Sequence, residues 1–128
     1  MSLKEIAVEG CTLEFQNGGN GTITINPGQV STKVKADGKG VYKTIKFTVS
    51  GYTGGAITVA KSGSGSGEIT ASATKVKVEG NAVILNGDVS AVFTVTGLKP
   101  VEGGGTTTAT NQEVVKVTDA GQTKVKGA

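Results

Sequence analysis

Apolar and polar residues alternate along several short stretches of this chain of 128 residues. In TKVKVEG, for example, Val76 and Val78 share one side of an extended chain, whereas Lys75 and Lys77 share the other. Alternation with a period of two is typical of half-buried β-strands. No stretch keeps the helical period over about ten residues. The pattern therefore predicts a small all-β protein with no helices of note.

Turn-forming residues separate the predicted strands, since glycine and asparagine tolerate the positive φ of tight turns. Asn86-Gly87 stands between two apolar runs and predicts a hairpin. QNGGNG (Gln16–Gly21) and KSGSGSG (Lys61–Gly67) predict hairpin loops, and the second is also compatible with a flexible interdomain linker. VEGGGTTTATNQ (Val101–Gln112) favours a mobile loop over a binding loop.

The tetrapeptide TKVK occurs three times, and its surroundings repeat as well. Thr32–Tyr42 aligns with Thr74–Ile84, and Phe47–Gly55 resembles Phe93–Gly104. The N-terminal KEIAVEG resembles a degenerate form of KVKVEG. Agreement at several points in one order indicates an internal duplication, while the unequal spacing argues against a strict solenoid. We expect one domain, 1–128, with repeats at about 32–55 and 74–104 and a partial copy at 123–128.

The lysines of the repeats are the strongest candidate for a binding surface. Each TKVK places two lysines on one strand face, about 7 Å apart. If the repeats surround a common axis, these lysines form a basic belt; alternatively, they are the solvated face of half-buried strands and protect exposed edges. The same alternation predicts that Val34, Val76 and Val125 point inward. The candidate belt consists of Lys33, Lys35, Lys75, Lys77, Lys124 and Lys126.

The composition argues against several classes of function. The chain has no His, no Trp and only five aromatic residues, and all 13 basic residues are lysines. Without arginine forks or stacking platforms, we expect no nucleic-acid partner. Without His, a zinc site or a Ser–His–Asp arrangement has no ligands or base. We therefore expect no enzyme activity, catalytic residue, metal, cofactor or small-molecule substrate.

The remaining reactive side chains have simpler interpretations. Cys11 has no partner for an internal disulfide, and we expect it to be a small buried hydrophobe. Asp37, Glu79, Asp88 and Asp119 stand close to glycines, which favours turn and cap roles over a paired acid–base site.

The first residues, MSLKEIAVEG, contain no apolar core of a secretory signal, and no run approaches the ~18–20 apolar residues of a membrane span. We expect synthesis in the cytoplasm without a signal peptide.

The stretch KVKVEGNAVILNGD resembles the short PAAR-type and PAAR-like spike-tip proteins of contractile injection systems, including type VI secretion and phage tails. The resemblance covers Thr74–Gly97 best and Thr32–Gly51 more weakly. It implies a cone-like β domain with approximate internal threefold symmetry. One copy would cap a trimeric β-helical spike, contact the target membrane transiently, and be delivered outside the cell within a particle.

The chain departs from this family in one respect: the His and Cys zinc ligands of the classical tip are missing. A metal-free PAAR-like protein is therefore the expectation. Two other classes remain open, namely a tube or decoration component of a phage-like particle and an adhesive or carbohydrate-binding β-sandwich module.

Overall fold

The structure is a computed structural model that describes residues 3–128. This part of the chain contains no helix, so none is long and apolar enough to cross a membrane. The all-β prediction is confirmed. The strands are β1 (Lys4–Glu5), β2 (Thr12–Phe15), β3 (Asn20–Ile25), β4 (Val30–Ala36), β5 (Lys39–Tyr42), β6 (Lys46–Thr53), β7 (Gly63–Glu68), β8 (Lys77–Val78), β9 (Asn81–Ala82), β10 (Phe93–Pro100), β11 (Thr106–Glu113), β12 (Val115–Asp119) and β13 (Lys126–Gly127).

The largest sheet is antiparallel and has the strand order β11-β10-β7-β6-β3. After Val114, the chain continues from β11 into β12, which pairs with β2. The predicted hairpin around Gln16–Gly21 does not form, because β2 and β3 pair with different strands. Apolar cross-strand pairs explain this choice: Phe15 lies opposite Val115, and Ile23 lies opposite Val49.

The glycine-serine segment is a strand and not a hairpin tip or a linker. Gly63–Glu68 forms β7 at the centre of the large sheet. Its serines point to solvent and its glycines face the core, where side chains already fill the space. A Cβ on Gly67 would lie 2.7 Å from Cζ of Phe47, and one on Gly63 would lie 2.8 Å from Cβ of Tyr52. Alternate glycines therefore let aromatic side chains lie directly on this strand.

The other two turn predictions are partly correct. Val101–Gly105 connects β10 to β11, with positive φ at three successive glycines, but the following residues to Gln112 belong to β11. Asn86-Gly87 does form a β-turn, in which the N–H of Asp88 donates to the C=O of Leu85 at 3.0 Å. The chain on its two sides pairs with different partners, so the turn does not make a hairpin.

Two apolar clusters divide the molecule into two regions. The hairpin region (3–9, 30–44, 73–86 and 120–128) holds the smaller cluster, and the sheet region (10–29, 45–72 and 87–119) provides most of the larger one. The hairpin cluster contains Ile6, Val8, Ala36, Val41, Ala73, Val78, Val83 and Leu85. The sheet cluster includes Phe47, Tyr52, Ile57, Ile69 and Val95, together with Tyr42 and Ile84 from the hairpin region.

Candidate interaction surface

The three TKVK repeats begin three structural units of similar geometry. In the first two units, β4 pairs with β5 and β8 pairs with β9. Their turns are Asp37-Gly38, with φ of 54° and 78°, and Glu79-Gly80, with φ of 49° and 85°. A type I′ turn requires positive φ at both central residues, and its twist matches that of the flanking strands. The residues after TKVK thus close two tight hairpins.

The third unit is assembled from the two ends of the chain, because β13 pairs antiparallel with β1. The N–H of Ile6 donates to the C=O of Val125 at 3.1 Å, and the matching bond in the second unit joins Val83 to Val76 at 3.1 Å. KEIAVEG therefore supplies the second strand of the third unit. Although KEIAVEG resembles KVKVEG, the two segments occupy different positions in their units.

Matching residues of the three second strands meet in the hairpin cluster. Val41, Val83 and Ile6 occupy equivalent positions in the three units, and all three are buried. The second strands also bridge one another, Ile6 with Leu85 and Val8 with Val41. The three units therefore surround one apolar core with approximate threefold symmetry.

The symmetry is incomplete at one of the three contacts between units. By analogy with the two bridges, Val83 would pair with Lys43, but the described residues form no such bridge. A cavity of about 510 Å³ opens there, lined by Lys43, Ile84 and Phe93 among others. The first and second units are therefore joined less closely than the other pairs.

A bend opens each repeat, and its N–H groups are capped. The Oγ of Ser31 accepts hydrogen bonds from the N–H groups of Lys33 and Val34, both at 3.1 Å. In the third unit, the Oε1 of Gln122 accepts from the two matching N–H groups, both at 2.8 Å. Each capping residue immediately precedes TKVK and is buried. The side chain therefore satisfies main-chain donors that have no strand partner at the bend.

In the second unit, a main-chain carbonyl is the acceptor, and the two capped N–H groups lie one residue earlier than in the other units. Its preceding residue is Ala73, which has no side-chain acceptor. The N–H groups of Thr74 and Lys75 instead donate to the C=O of Ala128, at 3.2 and 3.0 Å. The third unit thus touches the start of the second. The sequence analysis did not predict these caps. The available signal was a polar residue, Ser31 or Gln122, directly before two of the three TKVK copies.

All six lysines of the candidate belt are exposed. Nζ of Lys124 lies 3.5 Å from Oδ1 of Asp37 in the first unit, and Nζ of Lys126 lies 3.8 Å from Oε2 of Glu5. The other four form no ion pair within residues 3–128. Solvent-exposed pairs of this kind contribute about 0–1 kcal/mol. The lysine heads are therefore in solvent, as both interpretations of the belt require.

The prediction that the three repeat valines point inward is wrong for two of them. Val34 is 37% exposed and Val125 is 38% exposed, whereas Val76 is half-buried and packs on the hairpin cluster. The cause is the bend. The register of β4 with β5 shifts between Val30 and Lys35, so the intervening residues of β4 have no partner in β5 and the alternation of inward and outward side chains is lost there.

The carboxylates have turn and cap roles, as predicted. The Oδ2 of Asp88 accepts from the N–H groups of Leu85 and Ser72, at 2.8 and 3.2 Å, and the Oγ of Ser72 donates to its Oδ1. The Oδ1 of Asp119 accepts from the N–H of Gly121 at 2.8 Å. Within residues 3–128, no three Asp, Glu, His or Cys side chains come together as metal ligands would.

Cys11 is only half-buried, but it packs against the sheet cluster. Burial, followed by the charge of Asp119, raises the pKa of its thiol to about 11. The thiol is therefore protonated at neutral pH and is a poor nucleophile. This environment agrees with a packing role.

A buried polar network in the sheet region was not predicted. Glu113 is fully buried, and its Oε2 accepts a hydrogen bond of 2.6 Å from the hydroxyl of Tyr52. Its Oε1 accepts from the N–H groups of Asn17 and Val114, at 2.8 and 3.0 Å, while Asn111 donates to the Tyr52 hydroxyl at 2.7 Å. The network fixes the connection between β2 and β3 to the end of β11. A glutamate beside polar residues gave no sequence signal of burial.

Comparison with family models, curated proteins and solved structures finds no match to this chain.

Proposed function

We propose that this chain is a PAAR-like spike-tip protein that caps a trimeric β-helical spike of a contractile injection system or phage tail. The supporting observation is the set of three TKVK units around one apolar core, the third of which needs both chain ends. A monomer that binds on the threefold axis of a trimer needs three similar surfaces, one for each subunit, and an internal repeat provides them. No enzymatic step is needed for this role.

The free strand edges support the same proposal. The first strands of the three units, β4, β8 and β13, each belong to a two-stranded ribbon and pair only with the second strand of their own unit among residues 3–128. The N–H groups at the bends are already capped, so these strands can offer a partner only the remaining main-chain groups along their other edges. Main-chain pairing of this kind depends on backbone geometry more than on side-chain identity. The lysines on these strands would protect the edges until the partner binds.

The aromatic residues argue against a carbohydrate-binding module. Phe47, Tyr42 and Tyr52 are buried in the sheet cluster, and Phe15 and Phe93 pack against it. Phe15 also makes an edge-to-face contact with Tyr52, with ring centroids 5.2 Å apart. The rings are thus engaged in packing and do not form an open platform for stacking on sugars.

Subunit counting tests the proposal. We expect light scattering to give a monomer for the isolated chain, and mass measurement of the native particle to give one copy for three copies of a single spike protein. The particle would assemble in the cytoplasm, and the tip would help to pierce the target envelope. A stable homotrimer or hexamer of this chain alone would favour the tube or decoration role instead.

A further inference from the structure

The charges of the two regions differ in sign. The hairpin region contains nine of the 13 lysines and four of the ten acidic residues, a net charge of +5. The sheet region contains the other four lysines and six acidic residues, a net charge of −2. The net charge of +3 for the whole chain is therefore the sum of a basic region and a mildly acidic one. Such a difference orients a protein toward a charged partner.

The hairpin region also exposes apolar side chains among its lysines. Val34 and Val125 are more than one-third exposed, and Leu3, beside Lys4, is 59% exposed. The sheet region also exposes apolar side chains, so it is their combination with repeated lysines that distinguishes the hairpin region; the exposed residues of the sheet region are Val89, Val92, Leu98 and Val101. Apolar groups surrounded by charges are typical of protein interfaces, where burial supplies affinity and charge supplies orientation. In the sheet region, the lysines are scattered over several strands and loops and do not repeat by unit.

Given the proposed function, we infer that the TKVK repeats are the docking surface and that the partner's end carries acidic side chains at three equivalent positions. The bend lysines Lys33, Lys75 and Lys124 occupy matching places in the three units, so each faces the same surroundings on a threefold partner. Lysine provides a point charge without the geometric demands of arginine. It therefore suits three sites that are similar but not identical. The sheet region then points away from the spike.

The inference is tested with the trimer that co-purifies with the chain in the subunit-counting experiment. One variant combines Lys33→Gln, Lys75→Gln and Lys124→Gln. Its control combines Lys46→Gln, Lys61→Gln and Lys99→Gln, which removes the same charge from exposed positions of the sheet region. Melting temperatures establish first that both are folded. If the first variant does not fold, the double variant Lys33→Gln/Lys75→Gln replaces it, since neither lysine forms an ion pair within residues 3–128.

We expect the repeat variant to bind the trimer about tenfold more weakly, because it removes three charge pairs at the rim of the interface, each of which contributes modestly to affinity. The wild-type affinity should fall with added salt, and the control should bind like the wild type. Equal affinities of the two variants, or a weaker control, would overturn the inference while leaving the spike-tip role intact. Absence of any such trimer would remove the proposed function itself. Lysine-dependent binding to phosphatidylglycerol vesicles without trimer binding would assign the surface to a membrane instead.

Discussion

The hairpin region and the sheet region solve the packing problem in different ways. The hairpin cluster consists only of aliphatic side chains, most of them related by the approximate threefold symmetry. The sheet cluster has all five aromatic rings in it or against it, and its repeated segments, Phe47–Val49 and Phe93–Val95, occur twice and not three times. A small chain can therefore keep internal symmetry where side chains are small, and abandon it where large rings must be accommodated.

Glycine has opposite uses in the two regions. In the hairpin turns, Gly38 and Gly80 supply positive φ, and a Cβ there would meet nothing within 4 Å. In β7, glycines supply space for Phe47, Tyr52 and their neighbours. The same residue thus marks a turn in one region and a ring contact in the other. The difference explains why glycine content alone misassigned β7.

The comparison predicts that the sheet core is energetically dominant. Phe47 is fully buried and packs edge-to-face on Phe93 with centroids 5.4 Å apart. We expect Phe47→Ala to lower the free energy of unfolding by about 3–5 kcal/mol, since it removes a ring and leaves a cavity. The equivalent test in the hairpin region, Val83→Ala, should cost about half as much because fewer atoms are removed. Urea unfolding of both variants measures this, and a larger loss for Val83→Ala would reverse the ranking.

A glycine substitution should separate the two uses of glycine. In Gly67→Ala, the added methyl group would lie 2.7 Å from Cζ of Phe47 and 3.2 Å from Phe93, so a ring must shift. We expect a loss of about 1–3 kcal/mol from overpacking. Ser66→Ala is the matched control on the exposed face of the same strand and should change stability by no more than about 0.5 kcal/mol.

Adding Phe47→Leu to Gly67→Ala gives a further check. A smaller side chain opposite the new methyl group should make the combined loss smaller than the sum of the two single losses. Additive losses would mean that Gly67 is required for its backbone conformation and not for the space above it.

Some of the structural features behind these predictions could be read from the sequence, and others could not. The period-two alternation and the three TKVK copies predicted strands and a repeated surface, because both signals are local or recur in the chain. The pairing of β1 with β13 had no local signal, since it joins the two ends only in three dimensions. Val34 and Val125 were misassigned because alternation holds only while the backbone remains extended, and the capped bend interrupts it.

The prediction for β7 was wrong for a related reason. Gly63, Gly65 and Gly67 do alternate with polar residues, as a strand with one buried face should. Hydrophobic patterning does not detect such a strand, because the apolar groups over its inner face come from other strands. Glu113 is the converse case, a charged residue whose burial depends on donors from the distant Asn17 and Tyr52.

The buried network allows a smaller test that is specific to the sheet region. Tyr52→Phe removes the hydroxyl between Glu113 and Asn111 while preserving the ring. We expect a loss of about 1–2 kcal/mol at neutral pH, since a buried carboxylate oxygen loses its donor. Denaturant unfolding measures the change. No loss would show that water or another donor replaces the hydroxyl.

The same tyrosine predicts a loss of stability in alkali. Burial, followed by the hydrogen bond with Glu113, raises the pKa of Tyr52 to about 12. An unfolded tyrosine ionises near pH 10, so the contribution is complete below about pH 10 and is lost as the pH rises toward 12. Tyr52→Phe should flatten this decline, although Tyr42, whose pKa burial also raises to about 12, will maintain part of it. An identical decline in the variant would contradict the assignment to Tyr52.

The smallest expected effects concern the bends that open the repeats in the hairpin region. Ser31→Ala leaves the N–H groups of Lys33 and Val34 without their acceptor, and we expect it to cost about 1 kcal/mol, as for the loss of a helix cap. The comparison is Ala73→Ser, in a unit whose bend already uses the C=O of Ala128. There the N–H of Lys75 already has an acceptor, so the new hydroxyl should add little and the change should stay within about 0.5 kcal/mol of zero. Paired melting curves decide the point. If Ala73→Ser stabilises the protein as much as Ser31→Ala destabilises it, the main-chain cap is not equivalent to the side-chain caps, and the three units differ more than their shared TKVK implies.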